Sequence, residues 1–79
     1  MLEDYTLWHI GQIKFLLKLV DSPDNTATAE SKSEGGSCKE LKRKGYIVPF
    51  GKIGRSIRWK LIKPVSKKET DKLREMVEL

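Results

Sequence analysis

Apolar residues near the start of the chain recur at the spacing of one helical face. The stripe comprises Leu7, Ile10, Ile13, Leu17 and Val20, and it is widened by Phe15 and Leu16. Asp4 or Thr6 can cap the start of such a helix, and Pro23 stops it. The pattern therefore predicts an amphipathic first helix that ends near residue 21.

The segment Asp21–Gly36 has a different character, because it is small, polar and poor in apolar residues. Between Asn25 and Ser33 only Ala27 and Ala29 are apolar. Two interpretations are open: a short helix capped by Thr26 or Thr28, or a mobile loop with too little apolar surface to become ordered.

A short basic helix is predicted after this segment. Ser37 and Glu40 have the spacing of a capping box, and Gly45 stands where a left-handed residue ends a helix. Cys38 and Leu41 then face inward. The residues that face solvent are Lys39, Glu40, Lys42 and Arg43.

The next residues predict a β-hairpin. Its first strand is Tyr46–Phe50, its turn is Gly51–Gly54, and its second strand is Arg55–Leu61. In the second strand Ile57, Trp59 and Leu61 share one face, so that Arg58 and Lys60 share the other. Pro49 cannot donate a hydrogen bond to a neighbouring strand, which places it at an edge or a bulge.

A last helix is predicted beyond Pro64. Ser66 and Glu69 form a second capping box, and Leu73, Met76 and Val77 make an apolar side. This side can pack on the first helix or pair with the same helix of a second copy, which makes it the expected dimer interface.

Length and cysteine content set further limits. The 79 residues make a single domain, 1–79, with a small core. Cys38 is the only cysteine, so that an internal disulfide and a multi-cysteine zinc site are excluded and a reducing compartment is expected.

The acidic start and the short apolar run Phe15–Leu17 fit neither a secretory signal nor a membrane span. We expect a cytoplasmic protein.

The chain offers little for catalysis. It has one histidine, His9, one cysteine, no paired carboxylates on a secure element and no cofactor motif. His9 also has no second ligand at metal spacing. We therefore expect no enzyme, no cofactor and no metal site. Cys38 at a helix start could be reactive, although a small core residue is the favoured interpretation.

Charge is concentrated in the middle of the chain. Between Lys39 and Lys68 there are eleven basic residues and one acid, Glu40, whereas the other forty-nine residues carry five basic and ten acidic side chains. Such a segment is typical of a protein that binds a polyanion, since neutralising phosphates releases their counterions. Arg55 and Arg58 are the strongest candidates within it, because a planar guanidinium suits phosphate or guanine.

Two runs of sequence resemble the winged helix-turn-helix family of DNA-binding proteins. They are Leu41–Ile47, with its leucine, charged residues and glycine, and Gly54–Leu61, with its Gly-Arg pair, aromatic residue and leucine. The resemblance covers about residues 37–62 and implies a small α+β winged-helix domain. It also implies a second helix between residues 25 and 37, ahead of the recognition helix.

The resemblance implies a double-stranded DNA-binding protein, a small transcriptional regulator, with a site on two elements. Ser37, Lys39, Lys42 and Arg43 would approach the major groove. Lys52, Arg55, Arg58 and Lys60 would reach the DNA backbone or the minor groove. Small proteins of this family are often dimers, which fits the expected pairing through the last helix.

Other interpretations stay open from the residues alone. Phosphate attraction does not separate DNA from RNA, so an RNA- or ribosome-associated winged domain is an alternative. A protein-interaction module using Ile53 and the last helix is another. Four aromatic residues can in principle stack on bases: Trp8, Tyr46, Phe50 and Trp59. Trp59 is expected in the core because it is in phase with Ile57 and Leu61.

Overall fold

The computed structural model describes Tyr5 and residues 8–78. In chain order the elements are α1 (Ile10–Asp21), β1 (Thr26–Thr28), α2 (Lys32–Arg43), β2 (Ile47–Ile53), β3 (Ser56–Leu61) and α3 (Lys67–Glu78). The chain is thus a small α+β domain with three helices and a three-stranded antiparallel sheet. None of the described helices is long and apolar enough to cross a lipid bilayer.

The first helix lies where the apolar stripe predicts it, with a later start. His9 caps it, because its Nδ1 accepts a hydrogen bond from the Gly11 backbone N–H at 3.1 Å. Asp4 and Thr6, the predicted caps, lie outside the described residues, as does Leu7. The helix ends at Asp21, two residues before Pro23, as predicted.

The short helix capped by Thr26 or Thr28 is wrong, and residues 21–36 are not a loop throughout. Thr26–Thr28 form a strand, and α2 begins at Lys32 with Ser31 as its cap. The Ser31 hydroxyl accepts a hydrogen bond from the Glu34 backbone N–H at 3.1 Å, while the Glu34 carboxylate accepts one from the Glu30 backbone N–H at 3.0 Å. The capping group of α2 is therefore Ser31 with Glu34. Ser37 lies inside the helix.

The end of α2 is confirmed as predicted. Gly45 has a φ of +83°. Its N–H donates to the Lys42 carbonyl at 3.0 Å, and the Tyr46 N–H donates to the Leu41 carbonyl at 3.0 Å. These two bonds form a Schellman motif, which satisfies carbonyl groups that the helix leaves open.

The hairpin is confirmed with a shorter turn. β2 runs to Ile53, which pairs with Ser56, so that only Gly54 and Arg55 form the turn, with Gly54 at φ +62°.

The strand order is β1-β3-β2, and β3 is the central strand. The register shifts between Pro49 and Gly51 on edge strand β2, as predicted for Pro49, and this bulge leaves Phe50 unpaired.

The core lies between the helices and one face of the sheet. Its fully buried large side chains are Tyr5, Ile13, Phe15, Leu16, Leu19, Leu41, Tyr46, Ile47 and Leu73. Trp59 joins this cluster at 5% exposure, as expected from its phase in β3. The Trp8 ring makes edge contacts with the Tyr5 ring at 4.7 Å and the Tyr46 ring at 5.2 Å, which connect the segment before α1 to the residue before β2.

The last helix packs on the first one. Ser66 accepts a hydrogen bond from the Glu69 backbone N–H at 3.1 Å, so the predicted capping group is confirmed. Leu73 is fully buried within the core, and Met76 and Val77 are partly buried against it. Leu73 therefore has no surface to offer a second copy, and dimerisation through Met76 and Val77 stays a prediction.

The helical half differs from what the winged-helix resemblance implies. In the described part of the chain a single helix, α2, lies between β1 and β2, where the resemblance implies two. The predicted short second helix is replaced by β1 and the first turns of α2. A helix-turn-helix pair is thus absent from this region, whereas the hairpin remains.

Candidate nucleic-acid interface

A groove runs between α2 and the hairpin, and we call it the helix–hairpin groove. Its helix side is formed by Lys32, Gly35 and Lys39, and its hairpin side by Arg55, Ser56 and Ile57. Trp59 lines its floor, and Ala29, Glu30 and Ser31 close one end. The volume is about 320 Å³. The groove is open to solvent and combines an apolar floor with a cationic rim.

The rim cations are not neutralised by neighbouring acids. Within residues 8–78, neither Lys32, Lys39 nor Arg55 forms an ion pair. Glu30 is the acid of the groove, and its carboxylate lies 3.9 Å from the Lys18 Nζ on α1. Three positive side chains from two elements therefore face one open space without an acidic partner in the part of the chain that the structure describes.

Two further lysines extend this surface. Lys42 follows Lys39 by three residues, so the two are neighbours on the exposed side of α2. Lys52 pairs with Ile57 across the hairpin, and directly paired residues share a face of the sheet. Lys52 therefore lies on the groove side of the hairpin. Both side chains are exposed and form no ion pair with a described acid.

The sheet separates the predicted site residues into two groups. Arg58 and Lys60 alternate with Trp59 along β3 and therefore lie on the outer face, away from the groove. There the Phe50 ring centroid is 5.9 Å from the Arg58 Cζ and 5.4 Å from the Lys60 Nζ. The prediction that Arg58 and Lys60 point away from Trp59 is confirmed, so they do not share a surface with Lys39 and Arg55.

Arg58 is also partly neutralised. Its Nη2 lies 3.3 Å from the Asp24 Oδ2 and donates to the Thr26 hydroxyl at 2.9 Å. Hydrogen bonds from the Thr26 and Ser22 hydroxyls lower the pKa of Asp24 to about 2, so this carboxylate stays charged at neutral pH. The structure therefore holds Arg58 in place and reduces its net attraction for an anion.

Two other residues of the predicted site have different surroundings from those expected. Ser37 is buried in the middle of α2, where a methyl group on Gly11 of α1 would lie 3.0 Å from its Oγ. Its assignment to the DNA-contacting set is therefore wrong, because the side chain faces α1. Arg43 is exposed, with its Nη1 3.7 Å from the Glu40 carboxylate one turn earlier.

Two more cations of the basic segment are committed to aromatic rings. The Lys44 Nζ lies 4.3 Å from the Trp8 ring centroid and 2.7 Å from the Gln12 side-chain oxygen. The Lys63 Nζ lies 4.4 Å from the Tyr46 ring centroid. These contacts serve packing, since both rings belong to or border the core.

Cys38 and His9, the residues considered above for thiol reactivity and metal binding, both have structural roles. Cys38 is fully buried inside α2, and burial, with Glu34 nearby, raises the pKa of its thiol to about 12. The side chain is therefore a core residue, as favoured above. His9 serves as the cap of α1.

The sequence prediction missed Lys32, because it began the basic helix at Ser37. The signal was present, since Ser31 and Glu34 have the same capping spacing that identified Ser66 and Glu69. Gly35 and Gly36 concealed it, because glycine is unfavourable inside a helix.

Comparison of the chain with protein-family models, with curated proteins and with solved structures found no match. The functional argument therefore depends on the residues and their arrangement.

Proposed function

We propose that this chain binds double-stranded DNA through the helix–hairpin groove. The contacting cations are Lys32, Lys39 and Lys42 on α2 together with Lys52 and Arg55 on the hairpin. As in the prediction from sequence, the proposed role is that of a small regulator of transcription. The observation that supports the proposal most directly is a set of cations on one open surface that form no ion pair with any described acid.

The energetic argument concerns the free protein. Like charges that face one another without acids raise its free energy, and phosphates relieve this repulsion while their condensed counterions enter solution. Lys44, Lys63 and Arg58 have partners within the chain. Among residues 8–78 the groove cations have no such partner, which distinguishes them from an ordinary solvated surface.

The two sides of the groove suit different contacts. A helix fits the major groove of B-DNA, and the exposed side of α2 carries lysines two turns apart with only Gly35 and Gly36 between them on that surface. The backbone of α2 can therefore approach DNA closely there. Arg55 at the hairpin turn is placed to contact a phosphate or the adjacent minor groove.

A salt titration with a random-sequence duplex tests the proposal. Binding should be measurable by fluorescence anisotropy at about 50 mM salt and should weaken steeply as salt rises. Lys39→Gln and Arg55→Gln should each weaken binding about five- to tenfold, because each removes one phosphate contact.

The matched control is Lys68→Gln, which removes the same charge from α3, an element that contributes no residue to the groove. Its affinity should stay within twofold of the parent. If Lys39→Gln, Arg55→Gln and Lys68→Gln all lost the same affinity for DNA, only net charge would matter and the groove would be refuted as the binding site. Absence of binding at low salt would refute the function.

Trp59 offers a second readout because it lines the groove floor. The Trp8→Phe variant leaves Trp59 as the only tryptophan of the chain. Its emission should change when duplex is added, and the change should saturate with the anisotropy signal. Unchanged emission would indicate that DNA binds elsewhere.

RNA is the second candidate ligand, supported by the same cations. Competition between the duplex and a structured RNA for one labelled probe separates the two. The duplex should be the stronger competitor, because A-form helices present a deep, narrow major groove that α2 cannot enter. Stronger displacement by RNA would transfer the proposal to RNA.

A further inference from the structure

The outer face of the sheet presents an exposed aromatic ring between two cations. Phe50 is 54% exposed, although phenylalanine in a small domain usually contributes to the core. The ring belongs to the bulge of β2, where the register shift releases residue 50 from pairing with β3. This face is separate from the helix–hairpin groove, which lies on the other side of the sheet.

The neighbours of Phe50 define the chemistry of this face. Lys60 forms no ion pair with any described acid, and its Nζ lies 5.4 Å from the ring centroid. Arg58 is fixed by Thr26 at 2.9 Å and paired with Asp24 at 3.3 Å, and its Cζ lies 5.9 Å from the same centroid. Both distances are near the outer limit of a cation–π contact, so the cations only loosely cover the ring.

We propose that this outer face binds an unpaired strand of nucleic acid. One base stacks on Phe50, and an adjoining phosphate contacts Lys60, which has no acidic partner among the described residues. Aromatic stacking beside positive charge is the general means of binding single strands, and it tolerates any base because every base has a π face. A duplex cannot use Phe50 in this way, since its bases are already stacked on one another.

The occupant follows from charge and shape. An apolar protein partner would have to cover Lys60, and burying a charge that has no acidic partner in the described part of the chain is costly. A polyanion with flat, exposed rings satisfies both Lys60 and Phe50. The proposal is independent of the function proposed for the groove.

Anisotropy titrations of the full chain with a labelled 15-nucleotide deoxythymidine strand, the corresponding uridine strand and a duplex of the same length test the proposal. Phe50→Leu keeps an apolar side chain and removes the ring. It should weaken binding of either single strand about tenfold, in line with the measured contribution of one stacked base, and change duplex binding less than twofold. Phe50→Trp keeps an aromatic ring and should therefore bind single strands about as tightly as the parent.

Lys39→Gln is the matched control, because it lies in the groove. It should weaken duplex binding and leave single-strand binding within twofold. Lys60→Gln should reduce the salt slope for the single strand by about 0.7, the value expected for one phosphate contact. Since Phe50 and Lys60 are exposed, both variants should retain the parent circular dichroism spectrum and melting temperature.

The titrations would overturn the proposal if no single strand bound at low salt, if the parent and Phe50→Leu bound single strands equally, or if Phe50→Leu lost as much affinity for the duplex as for single strands. Sedimentation of the parent and Phe50→Leu tests a second copy as the occupant. A dimer that dissociates in the variant would assign the face to self-association and refute the proposal. Failure of duplex binding alone would leave this face supported and reject only the groove.

Discussion

Cys38 illustrates how the surroundings of a residue set its chemistry. The side chain lies on the buried side of α2, and desolvation of the thiolate raises its pKa to about 12 from an ordinary value of 9.0. Because the folded pKa is raised, the free energy of unfolding keeps its full value below about pH 9 and falls as the pH rises toward 12.

We therefore expect the Cys38 thiol to be unreactive in the folded protein. At pH 8 a disulfide reagent such as Ellman's reagent should react with it at least about a hundredfold more slowly than in guanidinium chloride, because reaction requires opening of α2. Absorbance of the released chromophore measures both rates. Equal rates in the folded and unfolded chain would contradict the buried position.

Gly36 is a residue whose replacement should stabilise the protein. It lies inside α2, and a methyl group built on it meets no heavy atom within 4 Å. Gly36→Ala should raise the free energy of unfolding by about 0.5–1 kcal/mol, because alanine loses less backbone freedom in a helix. Urea denaturation checks this value, and Gly45→Ala, at φ +83°, should have the opposite effect.

At the scale of elements, the contact between α1 and α2 depends on a glycine. A methyl group on Gly11 would lie 3.0 Å from the Ser37 Oγ and 3.3 Å from the His9 Nδ1. Gly11 therefore lets the two helices approach at Ser37, which explains why that side chain is buried although the sequence placed it at a solvent-exposed cap.

A double-mutant cycle tests this contact. Gly11→Ala should be more favourable in the Ser37→Ala background than in the parent, by about 0.5–1 kcal/mol, because removal of the hydroxyl makes room for the new methyl group. Urea denaturation of the four proteins gives the coupling energy. A coupling of zero would show that the helices are not in contact at this point.

The connection between α1 and β1 should respond to acid. Hydrogen bonds from Thr26 and Ser22 lower the pKa of Asp24 from 3.8 to about 2. Since the folded pKa is depressed, the stabilisation is present above about pH 4 and is lost as the pH falls toward 2.

Asp24→Asn removes this titration and keeps one oxygen acceptor. Between pH 4 and 2 the melting temperature of the variant should fall less than that of the parent, and the difference reports Asp24 alone because the other carboxylates are common to both. Thermal melts followed by circular dichroism measure it. Parallel curves would indicate that Asp24 does not stabilise this connection.

At the scale of the whole molecule, the charge layout sets the expected strength of binding. Five exposed cations, Lys32, Lys39, Lys42, Lys52 and Arg55, line or adjoin the groove, whereas Asp21 pairs with Arg74 where α1 meets α3. The longest dimension of the domain is 36 Å, about one turn of B-DNA.

A monomer should therefore contact about 10 base pairs and at most five phosphates through the groove. The logarithm of the binding constant should fall with the logarithm of salt concentration with a slope no steeper than about −4.5, and Arg55→Gln should reduce the slope by about 0.9. Anisotropy titrations at four salt concentrations provide the slope. A slope twice as steep would indicate a second copy on the DNA.

Local sequence determined most elements of this protein. The apolar stripe of α1, the Schellman end of α2 at Gly45, the alternation along β3 and the cap of α3 at Ser66 all depend on neighbours in the chain, and each was predicted. The concentration of positive charge in the middle of the chain was equally visible, because charge counts require no coordinates.

Tertiary structure decided the rest. Thr26–Thr28 become a strand only by pairing with β3, about thirty residues further along the chain. The helix α2 extends through Gly35 and Gly36 because packing of Cys38 and Leu41 in the core offsets the poor helix propensity of the two glycines. The tertiary structure also decided which basic residues lie in the groove and which lie on the outer face of the sheet. A one-dimensional charge pattern cannot show which cations share a surface, because that depends on how strands pair and which side of the sheet the helices cover.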